Sequence, residues 1–163
     1  MPNPNMIIVG MADLKVTKAP GALTTLGLGS CVGIALYDAT VKVAGLAHIM
    51  LPDSRAIQNN SKIAKFADTA MVKLITDMVR LGAKREAMKA KIAGGAQMFA
   101  FNSTNDSMRI GDRNVEATIR LLKQARIPLI AQETGSNFGR TVELYADDGR
   151  FLIKTIGHGN RTL

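Results

Sequence analysis

The sequence predicts an α+β fold, a layered sandwich with helices outside the sheets. Three observations carry this. Residues 32–37 and 43–51 are apolar at nearly every position, the mark of strands covered on both faces. Around residues 61–81, and again after Asp112, apolar residues recur at spacings of three and four, the period of an amphipathic helix. The strand-like stretches come in groups with these two helices between them, which favours α+β over a regular alternation of strand and helix. At 163 residues the chain reads as a single domain over 1–163, long enough to bury a core.

Taken in order, residues 6–9 are a short apolar run of strand type, and residues 13–16 alternate, so a bent strand or a hairpin is expected there. Pro20-Gly21 marks a turn. Residues 22–28 suit an extended segment until glycines interrupt it. The two apolar runs at 32–37 and 43–51 are joined by a short polar connector, so a β-hairpin is the simplest arrangement. If Asp38 pairs with Val43, Cys31 sits opposite Met50. His48 is then its diagonal neighbour on the same face, about 7–8 Å away at the backbone. A slip of one residue would send His48 to the other face.

Pro52-Asp53-Ser54 ends the second run and residues 55–61 are loop-like. A helix is expected over 61–81, with Phe66, Ala70, Met71, Leu74, Ile75, Met78 and Val79 on one face and Gly82 as its C′ residue. Residues 87–93 read as a strand with Met88, Ala90 and Ile92 on one face, closed by Gly94-Gly95-Ala96. Residues 102–107 read as a polar loop. Asp112 is the expected N-cap of the second helix, with Val115, Ile119 and Leu122 inward and Pro128 as its bound. Residues 127–131 form a short strand. Asp148-Gly149 sits between two alternating stretches, 141–145 and 151–156, and signals a hairpin.

The formal charge is +8, which raises nucleic acid, anionic lipid and acidic proteins as partners. The basic residues are scattered, however, and the densest run, 84–91, is interrupted by Glu86. Aromatic residues for base stacking are scarce and no nucleic-acid motif occurs, so a solvated basic face is the reading and no nucleic-acid partner is expected. Attraction to an acidic protein is compatible with it. A single cysteine allows no internal disulfide. The N-terminus lacks a charged region followed by an apolar one, and no stretch approaches a membrane span, so the chain is expected to be cytoplasmic with no membrane insertion.

The candidate chemistry centres on Cys31, the only cysteine, which follows Gly27-Leu28-Gly29-Ser30. Alone in an apolar run, a cysteine is most simply a small buried hydrophobe. Gly27 and Gly29 change the balance by removing side chains where backbone would approach a substrate carbonyl. Backbone N–H groups near Ser30 and Cys31 could then hold an oxyanion. His48, one of two histidines, is the candidate base, and pairing with it would lower the thiol pKa. An imidazole in that role needs an orienting partner. Thr25 is a candidate through its hydroxyl or its backbone carbonyl, and Asp53 is a weaker one. One cysteine and two histidines, with His158 far along the chain, make a poor zinc site. Gly94-Gly95 and residues 135–139 lack the spacing of a phosphate loop and read as turns.

Several motifs together resemble a known family. Thr25-Leu26-Gly27-Leu28-Gly29-Ser30-Cys31-Val32, Ala47-His48-Ile49-Met50-Leu51-Pro52-Asp53-Ser54 and Lys65-Phe66-Ala67-Asp68-Thr69-Ala70 closely resemble the chemoreceptor glutamine deamidases, CheD. Ala90-Lys91-Ile92-Ala93-Gly94-Gly95-Ala96, Ile110-Gly111-Asp112-Arg113-Asn114 and Glu133-Thr134-Gly135 extend the match from about residue 7 to residue 158. The resemblance implies a sandwich of two β-sheets with flanking helices, similar to the catalytic domains of deamidating toxins. It implies hydrolysis of glutamine side chains on methyl-accepting chemotaxis receptors to glutamate and ammonia, with no metal or organic cofactor. The family's catalytic cysteine, histidine and threonine fall on Cys31, His48 and Thr25. It further implies the chemotaxis phosphatase CheC, where it exists, as a partner that restrains deamidation. Phe66 occupies a position that is often tyrosine in the family.

Overall fold

Ten strands and two α-helices, numbered in chain order, and three single turns of 3-10 helix account for the regular structure among the residues that the computed structural model describes, 5–98 and 109–163. The first sheet has the order β1 (Met6–Ile8), β3 (Ala22–Leu28), β8 (Arg140–Tyr145), β9 (Phe151–Thr155), β10 (Gly159–Thr162). The second has the order β2 (Asp13–Lys18), β5 (Val43–Ile49), β4 (Val32–Asp38), β6 (Met88–Gly94), β7 (Leu129–Thr134). Neighbours are antiparallel except β1 with β3 and β6 with β7. Helices α1 (Ala67–Arg80) and α2 (Ile110–Gln124) pack on one face of the second sheet. The fold is thus an α+β sandwich, as expected, and the loop expected at 102–107 lies outside the described residues.

The layers follow from the two-residue period of a strand. In β4 and β5, Val32, Ile34, Leu36, Val43, Ala47 and Ile49 turn to the helices and meet Met71, Leu74, Met78 and Leu122. The alternate set, Cys31, Ala35, Ala44 and Leu46, turns to the first sheet and meets Leu23, Leu28, Val142, Leu144, Phe151 and Ile153. All seven residues of β5 are buried, so its unbroken apolar run reflects cover on both sides. The β4–β5 hairpin pairs Asp38 with Val43 and Val32 with Ile49, the register that the connector length suggested.

Four local features differ from the sequence reading. The chain over residues 6–18 is no hairpin. Its first strand joins the first sheet beside β3 and its second joins the other sheet beside β5. Helix α1 starts at Ala67, six residues later than its apolar period suggested. Phe66 is held extended by a parallel bridge to Leu51, and the Lys65 carbonyl accepts the N–H groups of Met50 and Leu51. Helix α2 begins at Ile110, so Asp112 lies in its first turn, facing the dipole, and Arg109 is the N-cap residue. Strand β10 carries no apolar alternation, Gly-Asn-Arg-Thr, and all four residues are exposed, so only its pairing with β9 reveals it. Gly82 does close α1: with φ +103° it donates to the Val79 carbonyl while Ala83 donates to Met78, which is a Schellman ending.

No helix among the described residues is long and apolar enough to cross a membrane. The contrast between two residues of α1 tests the layer assignment. Leu74 is fully buried under β5 and Val72 is 67% exposed on the opposite face. Leu74→Ala should cost about 2–5 kcal/mol in urea unfolding, whereas Val72→Ala should stay within about 0.5 kcal/mol of wild type.

Candidate active site

The sheet-to-sheet interface carries the chemistry that the sequence singled out. Cys31 immediately precedes β4 and is 8% exposed, on the face turned towards the first sheet. His48 pairs with Gly33 across the β4–β5 ladder, so it shares that face with Cys31. Thr25 comes from β3 in the other sheet, and both it and His48 are fully buried. The three side chains therefore approach from two sheets.

Thr25 contacts the imidazole through its side chain. Its Oγ1 lies 2.7 Å from His48 Nδ1 and 2.7 Å from the Val9 carbonyl oxygen. A hydroxyl has one proton, and a carbonyl can only accept. The hydroxyl therefore donates to Val9, and His48 Nδ1–H donates to the hydroxyl. This assigns the Nδ1–H tautomer and leaves Nε2 as a lone-pair base. Nε2 is buried and makes no hydrogen bond among the described residues. Val9 is itself pinned, since its N–H donates to Thr24 at 2.7 Å. Asp53 is engaged elsewhere: its carboxylate caps the turn at Ser54–Ala56 and binds the Arg55 guanidinium, whose hydrogen bonds hold its pKa down to about 2.

Burial dominates the electrostatics. It pushes the Cys31 thiol up, an effect that the residue's own backbone N–H opposes. It pushes the His48 imidazole down. Desolvation disfavours whichever form is charged, so at neutral pH both groups are uncharged in the free protein. The lowered thiol pKa expected from pairing is thus not the resting state, because burial outweighs a partner that makes no hydrogen bond to the sulfur.

The turn before Cys31 is tied from several sides. Gly27 has φ +70°, which a side chain would strain, and Gly29 donates to the Gly27 carbonyl at 3.0 Å. The Gly29 and Cys31 carbonyls accept from Ala96 and Gly95, both at 2.8 Å. Gly94, with φ +109°, must lack a side chain because a Cβ there would collide with the Cys31 carbonyl oxygen. Met98 packs over Gly29. Residues 94–96, read from the sequence as no more than a turn and part of a family motif, thus form the support of the cysteine loop.

Asn114 was given no role either, beyond its place in the motif of residues 110–114. It is fully buried on α2, and its Nδ2 donates to the carbonyls of Ser30 (2.9 Å) and Met50 (3.0 Å). Among the described residues its Oδ1 is buried without a partner. A polar residue at a position that faces the sheet from within the α2 pattern was the available signal.

No group of three or more His, Cys, Asp or Glu residues that could hold a metal ion occurs among the described residues. The arrangement offers a thiol, a neutral base of fixed tautomer and backbone amides, the parts of acyl transfer through a thioester.

Comparison with known proteins places the chain. A family model described as "CheD chemotactic sensory transduction" matches residues 50–155, more than half of the chain. A probable chemoreceptor glutamine deamidase CheD from Caldanaerobacter subterraneus subsp. tengcongensis is 59% identical over 151 residues, covering 93% of each chain. One from Lachnoclostridium phytofermentans is 58% identical, over 93% of this chain and 94% of the relative. The chemoreceptor glutamine deamidase CheD of Halalkalibacterium halodurans is 49% identical over 98% of this chain and 99% of its own. A crystal structure of the Bacillus licheniformis hypothetical protein YfiH gives a TM-score of 0.47 at 18% identity, over 75% of this chain and 50% of that one.

The tautomer and charge states are measurable. Nitrogen-15 NMR at pH 7 should show His48 neutral with its proton on Nδ1, and its protonation should occur below the ordinary 6.5. Alkylation of Cys31 by iodoacetamide should rise with a midpoint above the ordinary thiol value of 9.0. A plateau of alkylation already reached at neutral pH would show a resting thiolate instead.

Proposed function

This chain belongs to the CheD family of chemoreceptor glutamine deamidases, and on that premise we propose that it converts receptor glutamines to glutamates by thiol catalysis at Cys31, His48 and Thr25. The observation that carries the reading is the state of His48: Nδ1 is spent on Thr25 while Nε2 is an unpartnered base on the face it shares with Cys31.

The neutral thiol attacks the carbonyl carbon of a glutamine side chain as Nε2 takes the S–H proton. Generating the thiolate only as the bond forms suits a buried site, where neither ion is stable alone. Backbone N–H groups of the turn at Gly27 and Ser30, together with that of Cys31, receive the developing oxyanion, while the Gly29 N–H stays on the Gly27 carbonyl and shapes the turn. Nε2–H then protonates the departing amide nitrogen and ammonia leaves. A water molecule, deprotonated by Nε2, attacks the thioester carbonyl. Collapse breaks the C–S bond, returns the proton to sulfur and releases glutamate. Throughout, the Nδ1–H bond to Thr25 keeps the ring in one orientation, and the Val9 carbonyl dipole behind Thr25 favours the transient imidazolium. Catalytic hydrogen bonds of this kind often close only with substrate bound, which accommodates the unpartnered Nε2.

The working substrate is a chemotaxis receptor, and the reaction needs no cofactor. CheC, where present, is the proposed restraining partner. We place the work in the cytoplasm.

Two variants test the assignment. Purified receptor signalling domain is incubated with wild type, Cys31→Ala or Thr25→Val, and glutamine-to-glutamate conversion is mapped by peptide mass while ammonia is measured. Wild type should convert defined glutamines and Cys31→Ala none. Equal conversion by Cys31→Ala would overturn the nucleophile assignment. Thr25→Val should lower kcat by about 10²-fold, the lower end of a general acid–base contribution, and Thr25→Ser should recover most of it. Activity should also fall as pH drops through the depressed His48 value, because the protonated ring cannot accept the thiol proton.

A further inference from the structure

Three successive carbonyls around Cys31 are each held by a donor from elsewhere in the fold. Ala96 N–H holds that of Gly29, Asn114 Nδ2 that of Ser30, and Gly95 N–H that of Cys31. Two of these donors are backbone groups. Asn114 is the one side chain among them, and its other Nδ2 proton goes to the Met50 carbonyl. Ser30 and Met50 lie just past Val32↔Ile49, the last pair of the β4–β5 ladder. The carboxamide therefore continues the cross-strand link where backbone pairing has stopped.

Gly111 makes this reach possible. A Cβ at Gly111 would come within 2.6 Å of the Gly95 and Ala96 carbonyl oxygens, so only glycine lets the first turn of α2 lie against residues 95–96. Asn114 follows one turn later, and Thr118 Oγ1 donates to its carbonyl one turn beyond.

Amide planarity gives the link a chemical consequence. In a trans peptide the C=O of one residue and the N–H of the next point in opposite directions. Drawing the Ser30 carbonyl towards α2 directs the Cys31 N–H away from α2. Helix α2 packs on the outer face of the second sheet, whereas Cys31 belongs to the cluster between the sheets. The Cys31 N–H is thus turned to the side of its own thiol, whose upward pKa shift it opposes.

We propose that Asn114 is a positioning residue for the oxyanion site, which aims the Cys31 N–H at the reacting carbonyl by holding the Ser30 carbonyl back. The proposal rests on the deamidase reading above and adds to it the group that orients the oxyanion donor. The unpartnered Oδ1 accords with it, since the side chain is placed to donate twice and leaves its own acceptor unsatisfied.

The test compares two reactions of the same thiol. Deamidation passes through an oxyanion, whereas displacement of iodide from iodoacetamide does not. For wild type, Asn114→Ala and Asn114→Ser, kcat and KM are measured for ammonia release from receptor signalling domain, alongside the rate of Cys31 alkylation and the Tm. Asn114→Ala should lose about 10- to 100-fold in kcat, approaching the loss of one oxyanion donor, with KM and the alkylation rate near wild type. Asn114→Ser, which keeps one donor, should fall between. Unchanged kcat in the folded variants overturns the proposal. A parallel loss of kcat and alkylation overturns it as well, since Asn114 would then place the thiol or the fold, not the amide. Should Asn114→Ala fail to fold, Asn114→Ser against wild type decides the same question. A wild type that releases no ammonia from any receptor overturns the deamidase reading itself, before any variant is compared.

Discussion

A hydrogen bond of 2.7 Å crosses from one sheet to the other, from His48 Nδ1 to Thr25 Oγ1, in an interface otherwise filled by Leu, Val, Ile, Ala and Phe side chains. An imidazole buried there needs a partner, because a lost hydrogen bond in an apolar surround is costly. Thr25 satisfies one nitrogen and Val9 satisfies Thr25. The chain reaches Val9 only because residues 6–18 are divided between the sheets, with β1 beside β3 and β2 beside β5. The crossing that looks like a topological detail thus supplies the end of the relay. The other ring nitrogen is left without a partner, and that departure from full satisfaction is where the proposed chemistry lies.

The same economy governs the loop before β4. Its carbonyls are tied by residues 95–96 and by Asn114, and the glycines at 94 and 111 are there for contact distance. Gly94 avoids the Cys31 carbonyl, and Gly111 avoids those of Gly95 and Ala96. The loop before Cys31, the end of β6 and the start of α2 are packed backbone to backbone. Such packing fixes peptide planes more tightly than side-chain contacts can, since backbone atoms have little freedom to yield.

Much of the fold was legible. The unbroken apolar runs of β4 and β5 pointed to two covered faces, and the short connector allowed the register they adopt. The Asp148-Gly149 hairpin and the glycine ending of α1 follow from local turn chemistry. The misreadings share one cause, which is that contacts distant in sequence overrode a local pattern. Phe66 lies within a helical period but is claimed by Leu51 as a strand partner. Ile110 and Gly111 join α2 ahead of the expected cap because the turn rests on residues 95–96. Strand β10 has no pattern of its own and exists through β9.

For the site, the sequence alone determined which residue types could act and permitted two of them to share one face of a hairpin. Period-two alternation puts Cys31 and His48 on one face only if Asp38 pairs with Val43, and the structure set that register. The sequence also carried the family motifs. Tertiary structure decided what alternation cannot reach. Thr25 stands on a different sheet, so whether its hydroxyl or its carbonyl meets the imidazole depends on how the sheets stack, and the answer is the hydroxyl. The choice between Asp53 and Thr25 as the partner of His48 is of the same kind. So are the resting charges: the thiol goes up and the imidazole down because both are enclosed, and enclosure is a property of the packed layers, not of any stretch of chain.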